Sequence, residues 1–324
     1  MAKIYPANSK NIEMTAAIIR SGGIAAFPTE TVYGLGGSAF NPTAIAKIFE
    51  VKNRPFFDPL IVHIADIEAL KELTQDTGNL LMDLSENFWP GPLTIVVRHS
   101  NAVPDIVTSG LPTVAIRMPS HPVALELIRH ARTPIAAPSA NPFGGLSPTR
   151  AEHVLEGLGG SIEVILDGGP CEIGLESTII KIEDQKAILL RPGGLPVEEI
   201  QKVTGKVDTA DGSNAEAPGM LPYHYAPSKP VKIFTSSKDM DFKDKDAVFL
   251  FFKEPDGGFP DFLDKERFAV MSSTGDMKEA AATIFQSLHR LDAYPAKKIY
   301  AEAVPKKGLG LAIMDRLVKA SGRI

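Results

Sequence analysis

The sequence predicts an α/β protein of two domains joined by a long linker, and three observations predict it. Over the first two hundred residues, short apolar runs alternate with helical patterns. After Gly205 the periodicity stops in GKVDTADGSNAEAPGMLPYHYAPSKP, a stretch carrying Gly, Pro, Ser, Asn and Asp throughout. Beyond it a second, shorter set of strands and helices begins. The expected division is therefore 1–205, a linker over 206–229, and a smaller α/β domain over 230–324, which suits a chain of 324 residues.

The elements follow in order. Asn8 or Ser9 caps a helix with Ile12, Met14, Ala16 and Ile19 as apolar positions, and Gly22-Gly23 ends it. IAAF (24–27) is a short strand stopped by Pro28. Asn41 or Thr43 caps a helix running through Val51, and LIVHI (60–64) is the next strand. A helix near 79–88 precedes LTIVVR (93–98) and TVAIRM (113–118). The helix HPVALELIRHA leads into PIAA (134–137), and VILD, STIIKI and AILLR complete the first strand set. Strands following strands near its end point to a mixed sheet. In the second domain VKIF (231–234), AVFLFF (247–252), FAVM (268–271) and IYA (299–301) are strands, with helices near 277–291 and 309–320.

Composition narrows the function. Apolar residues make up 44% and charged residues 23%, an ordinary globular balance. A net charge of -5 opposes bulk coating of nucleic acid but leaves room for a local basic cleft. The single cysteine, Cys171, excludes an intramolecular disulfide and a Cys-rich zinc site, and reads as a small buried residue in a reducing, cytoplasmic setting. MAKIYPANSK lacks the pattern of a signal peptide, and no apolar run is long enough to span a membrane.

Polar clusters follow three of the strands: PTETVYG (28–34), PSANPFGG (138–145) and RPGG (191–194). Loops beyond the carboxyl ends of strands are where α/β sheets bind ligands. Lys52, Arg54, Arg117 and Arg191 offer positive charge for phosphates or a carboxylate, the first two expected at a loop edge. His63 closes an apolar strand. No second His or Cys stands at metal-ligand spacing, so no protein-built transition-metal site is expected. YGLGG, GGP and GLGLA lack the further residues of a P-loop or dinucleotide fingerprint, and GxSxG and HExxH are absent.

Taken together, PTETVYGLG, KNRPFFDPLIVH, FWPGPLTIVV, VAIRMPSHP, APSANPFGGLSPT, LESTII and LLRPGG resemble the YrdC-like family over about residues 5–205. PGMLPYHYAP and GLGLAIMDRLVKA resemble its longer, two-domain form. The resemblance implies a YrdC-like twisted mixed sheet followed by a Rossmann-like domain. It implies a nucleotidyltransferase that makes L-threonylcarbamoyl-AMP from L-threonine, bicarbonate and ATP, with Mg²⁺ bridging the phosphates. It places Thr31, His63, Arg117, Ser139 and Ser177 around L-threonine, with Arg117 on its carboxylate. Lys52, Arg54, Asp58, Thr113, Asn141, Thr149 and Arg191 would line the ATP pocket, Asp58 standing where the family commonly has Asn. It also implies a later, transient partner, a tRNA threonylcarbamoyl-transferase, and at most a weak tRNA contact.

The linker itself allows two readings. It is a rigid spacer, or a lid over the cleft in which Tyr225, aided by His224, contacts the nucleotide and keeps water out. Two further functions stand beside the synthase. An RNA-binding module calls for more Lys, Arg and interleaved aromatics than this acidic chain carries. A carbamoyl-transfer domain of the hydrogenase-maturation type calls for cysteines and acylphosphatase segments that are missing.

Overall fold

The computed structural model describes residues 1–210, 216–221, 224–236, 238, 240–255 and 257–322. Pro222, Tyr223 and residues 211–215, all in the linker, lie outside the described residues. Eleven strands make the first sheet. They are β1 (Lys3–Pro6), β2 (Ala25–Phe27), β3 (Gly34–Ser38), β4 (Ile61–His63), β5 (Leu93–Arg98), β6 (Thr113–Arg117), β7 (Ile135–Ala136), β8 (Val164–Asp167), β9 (Thr178–Glu183), β10 (Lys186–Arg191) and β11 (Val207–Thr209). Their spatial order is β1-β8-β2-β3-β7-β4-β6-β5-β9-β10-β11, mixing parallel and antiparallel pairs as expected. The second sheet holds β12 (Val231–Phe234), β13 (Ala247–Phe251), β14 (Phe268–Val270) and β15 (Lys298–Glu302) in the order β12-β15-β13-β14, all parallel.

Among the described residues ten α-helices connect and cover the sheets: α1 (Ser9–Arg20), α2 (Pro42–Lys52), α3 (Leu70–Leu73), α4 (Asn79–Phe88), α5 (Asp105–Thr108), α6 (Pro122–Ala131), α7 (Ala151–Leu158), α8 (Val197–Thr204), α9 (Met277–Ala293) and α10 (Leu309–Ser321). The caps are local chemistry. Asn8 accepts from the Asn11 amide of α1, and Asn41 accepts from Thr43 and Ala44, with Pro42 preset for the first turn of α2. Asn53 ends α2 in the left-handed conformation.

The structure departs from the sequence reading in three ways. GLGGS, assigned to no element there, is a central strand. At Gly36 a Cβ would come within 2.5 Å of Ile135 and 2.7 Å of Phe27, so glycine is what lets β3 lie under its neighbours. The linker is not free of structure, because β11 pairs in parallel with β10 and the first sheet runs on to Thr209. Ala217 and Met220 then pack on Ile61, Val96, Ala115 and Ile179, covering a sheet face with linker instead of helix. The third change concerns direction. Pairings make β4 and β6 run opposite to β2 and β7, so the loops after these strands leave from opposite edges. The polar groups meet across the face of the sheet, not at one carboxyl edge.

The apolar core of the second domain is not separate. Val32, Leu146, Leu175 and Tyr225 share one buried cluster with Ala281, Phe285, Ile313, Met314 and Leu317. Gly174, at φ +71°, allows its backbone to touch that of α9, since a Cβ there would meet the Ala281 and Ala282 backbone. Burial of this continuous surface fixes the C-terminal domain against the wall of the cleft.

Candidate active site

On that sheet face lies a small cavity of about 50 Å³. Thr31, Arg54, His63, Arg117, Ser139, Ser177, Arg191, His224 and Tyr225 line it, together with Glu176, Pro218 and Gly219. A volume of this size holds a few waters and is far smaller than ATP. Pro218, Gly219, His224 and Tyr225 of the linker are among its walls and form its roof.

At one end, the register sets His63 beside Arg117 on neighbouring strands. Arg117 donates through Nε to Gly91 O (3.1 Å) and through Nη1 to Thr31 Oγ1 (2.8 Å). Its Nη2 stands 2.6 Å from Glu30 Oε1, a contact whose angles fall short of a hydrogen bond. Burial alone would raise the Glu30 carboxyl, but the Arg117 guanidinium outweighs it and holds the group below its ordinary range. His63 is pushed down to about 3, by burial first and by Arg117 second, so the ring is neutral at physiological pH. The sequence pointed to Arg117 but not to Glu30, a lone acid in a loop of hydroxyls.

At the other end sit the residues expected for ATP. Lys52 Nζ donates to Ser139 O at 2.6 Å and to Asn141 O. Arg54 donates to Asp58 O (3.0 Å) and Pro59 O (2.8 Å) and forms an ion pair with Asp58 Oδ2 at 2.9 Å. None of the three is at a loop edge: Lys52, Arg54 and Asp58 are 1%, 6% and 0% exposed. Lys52 folds under the 138–145 loop, where its ammonium satisfies two carbonyls. Burial lowers Lys52 well below its usual range, lowers Arg54 and raises the Asp58 carboxyl, all toward the neutral forms. Asn141 donates to Pro142 O and Gly145 O, stiffening the same loop.

Arg191 bridges sheet and roof, donating to Ser177 O (2.8 Å) and to Pro218 O (2.9 Å). Ser177 also meets Thr94 through their hydroxyls at 2.7 Å. In the roof His224 lies on Tyr225, ring centroids 4.1 Å apart, and edge-on to Phe143. Tyr225 is 1% exposed and takes φ +63°, a costly conformation for a bulky residue. Burial first pushes its phenol up to about 12.

Five expected residues stand outside the lining: Lys52, Asp58 and Asn141 lie behind it, and Thr149 and Thr113 stand further back. Thr149 is buried close by in sequence to Ser147, but not in the lining. Thr113 opens β6 opposite Arg98, on the face of Ala115 and Arg117 but about 13 Å along the strand from Arg117. A strand that reads TVAIR puts both ends on one face, and only its far end reaches the site. The sequence missed Glu176, which is buried in the wall and held below its ordinary range: burial opposes this, and Arg316 and Arg191 override it.

Many buried polar atoms here lack a partner: Asp58 Oδ1, His63 Nδ1, Asn141 Oδ1, Thr149 Oγ1, Arg191 Nε, His224 Nδ1 and Tyr225 Oη. Folded proteins keep few such atoms, and their concentration in one place marks a ligand site. Among the described residues no group of three or more His, Cys, Asp or Glu could hold a metal ion.

The chain matches known proteins over nearly its whole length. Residues 17–193 match the family model for Sua5, YciO and YrdC, described as telomere recombination, and residues 195–322 match the C-terminal domain of threonylcarbamoyl-AMP synthase. The chain is 44% identical to the threonylcarbamoyl-AMP synthase of Pyrococcus abyssi, over 96% of this chain and 94% of that one. It is 42% identical to the Bacillus subtilis enzyme of the same name, over 97% and 94%. The crystal structure of P. abyssi Sua5 complexed with L-threonine superposes with a TM-score of 0.91 at 41% identity, covering 99% of this chain and 98% of that one. The chain belongs to the threonylcarbamoyl-AMP synthase family, in the long form that carries the C-terminal domain.

Proposed function

We propose that this protein is an L-threonylcarbamoyl-AMP synthase, a nucleotidyltransferase joining L-threonine, bicarbonate and ATP, with the site described above as its active site. The observation that supports the residue assignment is that His63, Arg191, His224 and Tyr225 line one small cavity and each keeps a buried polar atom without a partner, as do Asp58, Asn141 and Thr149 outside its lining. In this reading Thr31, His63, Arg117, Ser139 and Ser177 hold threonine. Lys52, Arg54, Asp58, Asn141, Thr149, Arg191 and Tyr225 serve ATP, with Thr113 more distant.

The chemistry needs no protein nucleophile. The threonine amine attacks the carbonyl carbon of bicarbonate, a C–N bond forms and water departs, leaving a carbamate. A carbamate oxygen then attacks the α-phosphorus of ATP, and the bond to pyrophosphate breaks. His63, neutral and buried, orients by hydrogen bonding and does not carry positive charge. Arg117 has N–H groups beyond those committed to Gly91, Thr31 and Glu30, and these suit a carboxylate. Arg54 and Arg191 neutralise charge on the phosphates, so positioning and electrostatics supply the rate. Magnesium would come with ATP rather than sit on a carboxylate cluster, and would add to the charge neutralisation that Arg54 and Arg191 supply.

The roof supports the lid reading. With Pro218, Gly219, His224 and Tyr225 in place, water is kept from a carbamate and an acyl-adenylate that hydrolyse readily. The product then passes, in the cytoplasm, to a separate tRNA threonylcarbamoyl-transferase met transiently. Incubation with ATP, labelled bicarbonate and L-threonine tests the reading: threonylcarbamoyl-AMP and pyrophosphate should appear together. Pyrophosphate release that ignores threonine would overturn it.

A further inference from the structure

Arg316 is a fully buried side chain on α10, 1% exposed, and it leaves its own domain to enter the wall of the active site. Its Nε donates to Glu176 Oε2 at 2.8 Å. Its Nη2 donates to Pro192 O at 3.0 Å, and Nη1 pairs with the adjacent Asp315 at 2.5 Å. The guanidinium carbon lies 4.6 Å from the centroid of the Tyr225 ring. These partners belong to three different walls. Glu176 precedes Ser177, Pro192 follows Arg191, and Tyr225 belongs to the roof.

Asp315 also pairs with Lys319 at 2.8 Å, and Lys319 Nζ donates to Gly219 O at 2.7 Å. One face of α10 therefore touches the roof at two points, Gly219 and Tyr225, while it is anchored to the first domain through Glu176.

We propose that Arg316 is a positioning residue for the synthase reaction: a fixed post against which the roof, residues 216–221 with His224 and Tyr225, closes. This rests on the reading of that segment as a lid over a threonylcarbamoyl-AMP site. The relative strengths of the contacts determine which part moves. A buried ion pair with added hydrogen bonds is costly to break, because either charge would be left unpaired in a dry wall. A cation–π contact is weaker and leaves no unpaired charge when it opens. Opening the lid releases Tyr225 and Gly219 while Arg316 stays on Glu176 and Pro192. The post also orients Glu176, whose other oxygen accepts from Ser147, and so holds the backbone next to Ser177. The C-terminal domain thereby sets how often the cavity is closed without touching substrate.

Amide hydrogen exchange on the full-length protein, without substrates, tests the coupling. Arg316→Lys keeps a charge but loses the planar face and the fork. It should raise exchange across residues 216–226 about tenfold, as the loss of a desolvated cation–π contact predicts. Exchange in β5 and β9 should stay unchanged. Tyr225→Leu keeps α10 intact and should give the same local rise, which covers the case of a poorly folded Arg316 variant. The double variant should exchange no faster than either single one. In the product assay Arg316→Lys should release more pyrophosphate per threonylcarbamoyl-AMP recovered. A rise spread evenly over the chain, additive single effects, or an unchanged ratio in a wild type that makes product would each overturn the proposal. A wild type that makes no product defeats the synthase reading alone, since the exchange result does not depend on catalysis.

Discussion

Arg117 Nη2 and Glu30 Oε1 lie 2.6 Å apart, both side chains 4% exposed, so the cation best placed for a substrate carboxylate is already paired before any substrate arrives. Removing one member of a buried pair strands the other charge. Glu30→Gln should therefore destabilise the fold by about 3 kcal/mol and misplace Arg117. Because the Glu30 carboxyl sits below its ordinary value, its stabilisation is present above pH 4.5 and lost as pH falls through the lower folded value. Chemical denaturation at pH 7, with threonine affinity by calorimetry, checks both effects. An unchanged midpoint and affinity would remove the pair from the account.

Lys52→Met separates charge from volume. The sequence suggested a cation at a loop edge, whose loss would leave the fold intact. Buried under Ser139 and Asn141, it should instead cost about 2 kcal/mol by leaving two carbonyls unsatisfied. Turnover at low ATP should fall by about tenfold or more, since a charge-assisted phosphate contact contributes about 1.5–3 kcal/mol. Full stability with full activity would place the ammonium outside both roles.

His63 makes a pH prediction. Above pH 6.5 the ring is neutral whether the chain is folded or not, and contributes nothing. As pH falls from 6.5 toward about 3, the unfolded chain takes up a proton that the buried ring refuses. Stability then drops by up to about 1.4 kcal/mol per pH unit. His153, also held at about 3 by burial and by His289, shares the window. Between pH 7 and 5, His63→Asn should lose about 2 kcal/mol less stability than the wild type in urea unfolding. Equal losses would show that the ring protonates freely.

Two glycines in the linker region separate strain from crowding. Gly205 and Gly219 both have positive φ, 73° and 77°. Nothing lies within 4 Å of a Cβ on Gly205, so Gly205→Ala should cost backbone strain alone, more than about 1 kcal/mol, without disturbing the roof. A Cβ on Gly219 would overlap the Tyr225 hydroxyl and come within 3.0 Å of Arg191. Gly219→Ala should lift the roof, raising protease cleavage of the linker and the Michaelis constant for ATP. Matching behaviour of the two variants would mean that the roof is slack there.

Threonine should be preferred over 2-aminobutyrate, with serine a weaker competitor, because hydroxyl partners such as Ser139 and Thr31 would be left unpaired by the analogue lacking the oxygen. Equal affinities for all three in calorimetry would discard this assignment.

Much of this was legible. LIVHI, LTIVVR and TVAIR are apolar and β-branched, and each forms a strand where expected. β3 was not, because glycine signals turns and only the crowding by Phe27 and Ile135 makes it a strand residue. α7 and α8, at 8 residues each, are too short to show a clear apolar period. Cation positions were legible, but their burial was not, since Lys52 is covered by a loop eighty-seven positions later. Arg316 was least visible: in MDRLVKA it reads as the polar face of a helix, and its partner Glu176 is 140 positions away.

That separation has a consequence for the order of synthesis. Glu176 leaves the ribosome well before Arg316, by on the order of ten seconds at ordinary elongation rates. Until α10 arrives, the nascent chain holds the Glu176 carboxylate next to Ser177 with only Arg191 to offset it, and the Tyr225 ring lacks the guanidinium it faces. The cleft can be outlined early but its roof is completed only by the last helix. A fragment that stops before α10 should therefore outline the cleft without holding its roof in place.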